Sequence, residues 1–329
     1  MLRSVAFLVL AASVLATAHG TPADPYTSPG RLIDVGGFRL NLYCAGSGSP
    51  TVIFDSGLED WAPSWIKIQP AIAKRTRTCT YDRAGNGFSD PGPMPRTTGR
   101  IARELHTLLH VAGETGPFVL VGHSFGGLIV RHYADRYPRD VAGLVLVDAS
   151  AEGLAGIMTA QELRDNDRDI ARAQAMLRQC LTLAQRHFRS ASPKLAHACP
   201  GMFFRGLPAP ADFPRARDAT LVFEAERPKQ YAASASELEN FTTASMRALM
   251  GEQRSYGAIP VLILVAMHHA GTPPRWERSW REAHRRWLSL STRAQYVPAT
   301  HSGHYIQFDQ PALVIGAIED VVATVRATR

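Results

Sequence analysis

The stretch FVLVGHSFGGLIVRHYA, residues Phe118–Ala134, decides how this chain folds. An apolar run, Phe118-Val119-Leu120-Val121, leads into Gly122-His123-Ser124-Phe125-Gly126, and a helical pattern follows. This is G-x-S-x-G in the context that gives the motif meaning, after a strand and opening a helix. So tight a corner strains the serine backbone. The flanking glycines remove Cβ atoms that would strike the neighbouring strand and helix. The hydroxyl is left at the carboxyl end of the strand, beside a helix N-terminus that favours negative charge. A serine there could merely cap the helix, so its chemistry depends on partners supplied elsewhere.

Outward from this corner, strands and helices alternate. Leu32–Val35 and Arg39–Tyr43 read as a hairpin around Gly36-Gly37. Further apolar strands are expected at Thr51–Phe54, Thr76–Tyr81, Pro117–Val121, Val141–Val147, Pro260–Val265 and Ala294–Val297. Helices are expected at 98–112, with Ile101, Leu105, Leu108 and Ala112 on one face, at 126–137, and from Pro311 onward. Continuous apolar strands separated by helices argue for an α/β fold, a mostly parallel sheet covered on both faces. Residues 31–150 and 258–329 carry this core. Residues 151–257 break the alternation with a helical pattern and no convincing strand. They read as a cap over the end of the sheet, where α/β proteins place ligands.

The 329 residues are ordinary in composition for a globular protein, with 45% hydrophobic and 20% charged. The formal net charge of +7 is spread over scattered residues, nearly all arginine. No basic run resembles a nucleic-acid stripe, and no nucleic-acid partner is expected. At the N-terminus Arg3, the apolar Val5–Leu15 and Ala16-Thr17-Ala18 make a signal peptide over residues 1–18. The apolar part is short for a membrane span, so no stable membrane insertion is expected after cleavage. A Pro-rich lead-in occupies 19–30, and the mature protein is expected to be periplasmic or secreted. Cys44, Cys79, Cys180 and Cys199 would then be open to disulfide formation, and spacing alone leaves three pairings. With no CxxC pair or tight His/Cys cluster, a structural zinc site is not expected.

A serine hydroxyl is a weak nucleophile and needs a base. Thr300-His301-Ser302-Gly303-His304-Tyr305 follows the last strand, and His304, after a glycine that permits a tight loop, is the expected base. His301 is its rival. His268-His269 reads as a loop pair rather than a metal site, since no carboxylate lies near it in sequence.

With the segment Tyr81-Asp82-Arg83-Ala84-Gly85-Asn86-Gly87-Phe88-Ser89-Asp90 added, the chain resembles the α/β-hydrolase superfamily, and within it esterase- and aminopeptidase-like members. The resemblance covers Arg31–Ser150 and Ile259 to the C-terminus, nearly all of the chain except the cap. It implies eight strands, with the nucleophile after the fifth and the base after the eighth, the places of Ser124 and His304. Many members carry the acid after the seventh strand, where this chain has no Asp or Glu before Glu277. The alternative place, after the sixth strand, holds Asp148, which is expected to orient His304, with Glu277 second. The oxyanion hole would draw on the backbone N–H of Phe125 and of Leu58, where Ser56-Gly57 replaces the family's common His-Gly. Trp61 and Trp65 are expected to line or support the acyl pocket. The strand order implied, 1-2-4-3-5-6-7-8, sets the second strand antiparallel beside the fourth and suggests Cys44–Cys79. Cys180 and Cys199 then pair within the cap.

These residues imply an exported serine hydrolase acting on a small ester, without cofactor or metal. An aminopeptidase or amidase with the same triad would need an acidic recess, for which Glu224, Glu226, Glu237 and Glu239 are available. A non-catalytic ligand-binding protein of the same fold is a third possibility.

Overall fold

The computed structural model describes residues 27–152, 154–204, 224, 226–250 and 255–328. The expected signal peptide and most of the lead-in lie outside the described residues. Eight strands form one sheet: β1 (Arg31–Asp34), β2 (Arg39–Ala45), β3 (Val52–Asp55), β4 (Thr78–Tyr81), β5 (Phe118–His123), β6 (Val141–Val147), β7 (Pro260–Ala266) and β8 (Arg293–Ala299). Their order is β1-β2-β4-β3-β5-β6-β7-β8, with β2 antiparallel to both its neighbours, β1 and β4, and every other pairing parallel.

The apolar runs form central strands because they are buried from both sides. Alternate residues feed two cores: Ile53 and Leu120 enter one, and Val52, Phe54, Val119 and Val121 enter the other. Helices α1 (Thr98–Ala112) and α2 (Phe125–Arg136) cover the first face. The Thr97 hydroxyl caps α1 through the Arg100 N–H, and Gly113, at φ 79°, ends it in the left-handed conformation that glycine tolerates. The C-terminal helix, Pro311–Ala327, covers the second face with Val314, Ile318, Val321 and Val325.

Between β6 and β7 the described residues are helical and contain no strand. Helices α3 (Ala160–Gln185), α4 (Pro193–Gly201) and α5 (Pro228–Asn240) supply a third apolar cluster that closes around Trp61. Helix α6 (Pro274–Arg286) follows β7 and packs Trp280 and Ala283 into the first core.

Cys44 stands directly opposite Cys79 in the β2–β4 ladder and is bonded to it, Cα to Cα 4.1 Å. Cys180 on α3 is bonded to Cys199 on α4, Cα to Cα 5.5 Å. These are the pairs that sheet order and the shared insertion suggested. No described helix is long and apolar enough to cross a membrane.

Candidate active site

Ser124 sits between β5 and α2 at φ 51° and ψ −118°, a conformation L residues rarely adopt. Close packing holds it there. A Cβ at Gly122 would lie 2.6 Å from the Gly126 carbonyl oxygen, and one at Gly126 would strike the carbonyls of Asp55 and Ser56. Asp148 directly follows the adjacent β6, also at positive φ, 39°. Both side chains thus leave the sheet at its carboxyl edge. His304 comes from the loop after β8 and joins them: Nε2 is 2.9 Å from Ser124 Oγ, and Nδ1 is 2.6 Å from Asp148 Oδ2.

Asp148 is wholly buried and accepts four hydrogen bonds. Ala266 N–H and Trp280 Nε1–H donate to Oδ1, each at 2.9 Å. His304 Nδ1, at 2.6 Å, and His269 Nε2, at 2.8 Å, approach Oδ2. Burial alone would raise its pKa, but the bonds from His269 and His304 outweigh burial and hold it far below the usual carboxylate range. An ionised carboxylate only accepts, so both imidazoles must donate to it. When neutral, His304 is then the Nδ1–H tautomer, with its bare Nε2 lone pair facing the Ser124 hydroxyl. In that form Nε2 can take the serine proton.

The other candidates lie elsewhere. Glu277 Oε1 accepts the backbone N–H of His269 at 2.8 Å, and Oε2 pairs with Arg281 at 3.3 Å. His301 is exposed and donates its backbone N–H to Gln310. His268 is tied to the Thr300 carbonyl. His268 and His269 both lie in the loop between β7 and α6, and His269 is engaged there by Asp148. The fold brings it the carboxylate that is absent from its sequence neighbourhood. Since β6 and β7 are parallel neighbours, the loop after β7 ends up beside Asp148. That adjacency was the available signal.

A cavity of about 370 Å³ opens onto Ser124 and His304. Its apolar wall includes Leu154, Met158, Leu163 and Phe241 from the insertion and Trp276 and Trp280 from α6. Trp61 and Trp65, expected near the pocket, do not line it. Trp65 is fully buried in the second core, 4.9 Å ring to ring from Phe54, and donates to Ser56 Oγ. Trp61 packs under the insertion against Phe203. Both are apolar residues after a strand, and sequence alone does not say which face they enter.

The loop after β3 passes beside the serine and is held by Arg83. This buried guanidinium donates to the carbonyls of Ser56 and Gly57, both at 2.7 Å, to Asp55 at 3.1 Å, and in a two-pronged pair to Glu237 of α5 at 2.8 and 3.0 Å. With the Gly57 carbonyl turned to Arg83, peptide planarity turns the Leu58 N–H the opposite way. Leu58's side chain is partly buried against the first and third cores. Phe125 is the first residue of α2, where backbone N–H groups lack helical partners. Burial pushes Asp55 up to about 6, against the pull of Arg83. Arg83→Met would leave Asp55 and Glu237 buried without their cation. A loss of about 3–5 kcal/mol is expected in urea unfolding. A loss below about 1 kcal/mol would mean that the cluster is dispensable to the fold.

Against known proteins, the family model described as alpha/beta hydrolase fold matches residues 50–311. An AB hydrolase superfamily protein of Gibberella zeae is 26% identical over 84% of this chain and 87% of its own length. A 2-hydroxy-6-oxo-2,4-heptadienoate hydrolase of Pseudomonas putida is 32% identical over 36% of this chain and 44% of its own. Two other curated relatives, from Hormonema carpetanum and Bacillus subtilis, are matched over only 20% and 37% of their lengths. Among solved structures, a thermophilic esterase from Thermogutta terrifontis is 22% identical, with TM-score 0.57, over 88% of this chain and 94% of that one. The enol-lactonase of Burkholderia xenovorans is 17% identical, with TM-score 0.60, over 87% and 97%. At such identities the structures share the fold alone. The family model, however, runs from the start of β3 through the loop that carries His304, and so the chain belongs to the α/β-hydrolase family.

Proposed function

We propose that the protein is a serine hydrolase of carboxylic esters with an apolar acyl or alcohol part. One observation carries this reading: the unbroken hydrogen-bond chain Asp148–His304–Ser124 opens on an apolar cavity. Ser124 Oγ attacks the ester carbonyl while His304 Nε2 takes its proton. The N–H groups of Phe125 and Leu58 hold the developing oxyanion. His304 returns the proton to the leaving alcohol, and the acyl group stays on Ser124. Water, activated by the same imidazole, then releases the acid. Asp148 keeps the imidazole oriented and stabilises its cationic form.

The cavity also speaks to the rival activity. Among the described residues, no Asp, Glu, Lys or Arg lines it. The acidic residues that could hold a substrate ammonium are placed elsewhere. Glu237 binds Arg83, Glu224 pairs with Arg227 and Lys229, and Glu226 and Glu239 are exposed. A neutral ester suits this cavity better than an amino-terminal peptide. A short p-nitrophenyl ester is expected to exceed an amino-acid p-nitroanilide in kcat/KM by at least about 100-fold. Preference for the anilide, lost in Ser124→Ala, would transfer the assignment to an amidase. Ester turnover that survives in Ser124→Ala would remove the serine from the mechanism.

The protein is further proposed to be exported. The two disulfides are compatible with an extracellular location.

A further inference from the structure

His269 has no role in the reaction above, yet it occupies the centre of the site. Its side chain is 9% exposed and its Nε2 binds the same Asp148 oxygen that His304 uses. Its ring stands edge-on to Trp276 and Trp280, with centroids 5.0 and 5.5 Å away. Its backbone N–H is fixed by Glu277. Its Nδ1 is buried without a hydrogen-bond partner among the described residues. A loop imidazole is seldom held so firmly by backbone, side chain and ring contacts together.

We propose that His269 is a positioning residue: by donating to the Asp148 oxygen shared with His304, it limits how strongly that carboxylate holds a proton on His304. The inference rests on the serine-hydrolase reading above. Two N–H donors on one carboxylate oxygen divide its negative charge between them. With His269 present, His304 gains less from being protonated and stays a free base to lower pH. With the donor gone, Asp148 acts on His304 alone. Behind Trp280 lies the buried His284, its ring nitrogens on the Trp280 and Ala149 carbonyls, and burial lowers its pKa against the pull of Asp148. His123 lies 4.8 Å from the His304 ring, and its Nε2 is 3.0 Å from the His304 carbonyl. Burial lowers the pKa of His123, which favours its neutral form. Asp60 lies behind it, 3.7 Å from Nδ1. Tyr305 flanks both rings, and Glu277 is engaged by His269 N–H and Arg281.

The test follows the rate at which a fluorophosphonate labels Ser124 as a function of pH, which needs no knowledge of the natural substrate. His269→Phe keeps the ring volume between the tryptophans and removes the donor. His269→Gln restores an N–H near the position of Nε2. The acid limb of the labelling rate is expected to move up by about half a unit to one unit in His269→Phe. In His269→Gln it should return to within about 0.3 unit of the wild type. A folded Phe variant with an unmoved limb overturns the proposal, whatever its stability, and so does a Gln variant that behaves like Phe. Should the Phe variant fail to fold, ¹⁵N spectra of the wild-type histidines decide. Nε2–H with bare Nδ1 at His269 is the expected tautomer, and the reverse overturns the proposal. Wild-type labelling at a serine other than Ser124 would instead defeat the serine-hydrolase reading itself.

Discussion

Ser124→Ala is expected to abolish ester hydrolysis, by about 10⁴–10⁶-fold in kcat, while the protein melts at or above the wild-type temperature. The substitution removes only Oγ. The Cβ stays, as do the tight contacts at Gly122 and Gly126 that hold the corner in its rare conformation. His304→Ala should be as damaging, because residues that act as a unit are not additive when removed. Steady-state turnover of a p-nitrophenyl ester, with thermal melting as the control for folding, checks both. Residual activity of either variant within about tenfold of the wild type would show that the hydroxyl and imidazole do not work together.

Asp148→Asn should cost about 10⁴-fold in kcat, and it tests a finer point. The carboxylate accepts on both oxygens, so its amide must set an NH₂ against donors whichever way it turns. With the NH₂ toward His304, the imidazole is forced into the Nε2–H tautomer and can no longer take the serine proton. With the NH₂ toward Ala266 N–H and Trp280 Nε1–H, donors oppose donors in a buried site, at about 1–3 kcal/mol. In that orientation the tautomer is kept but the negative charge that stabilises the imidazolium is gone, so activity falls either way and stability falls as well in the second. A near-normal Asp148→Asn beside an inactive Glu277→Gln would move the acid to the loop after β7.

Much of this was legible in sequence for identifiable reasons. Val141–Val147 and Thr98–Ala112 have the bounds their patterns suggested. One is an uninterrupted apolar run, and the other lies between the cap Thr97 and Gly113. The helix after Ser124 begins one residue earlier than expected, at Phe125, because the serine itself is the last residue outside the helix. Strand β4 starts at Thr78, after Thr76 has turned its hydroxyl to the Pro50 carbonyl. Ser124 could be named from its motif and His304 from the loop after the last strand, whereas Asp148 came from the family resemblance, which allows an acid after the sixth strand. The cavity wall could not be named. Trp276 and Trp280 follow a proline-rich loop, and their direction is set by α6 packing on the first core. His269 stayed hidden because its partner lies 121 residues away in the chain.

The Arg83 fork also governs how the molecule breathes. Its two-pronged bond to Glu237 ties α5 to the loop beside the nucleophile. Detaching α5 would strand charges that are 2% and 0% exposed. If that costs about 4 kcal/mol, the detached form is about one molecule in a thousand. At equilibrium α5 therefore stays on the nucleophile loop in nearly every molecule. Elsewhere the insertion meets α6 through an exposed pair, Arg275 at 3.5 Å from Glu162. The contacts that hold the insertion to the core are therefore unequal in kind: a buried two-pronged pair beside the nucleophile loop, and an exposed single pair between Arg275 and Glu162.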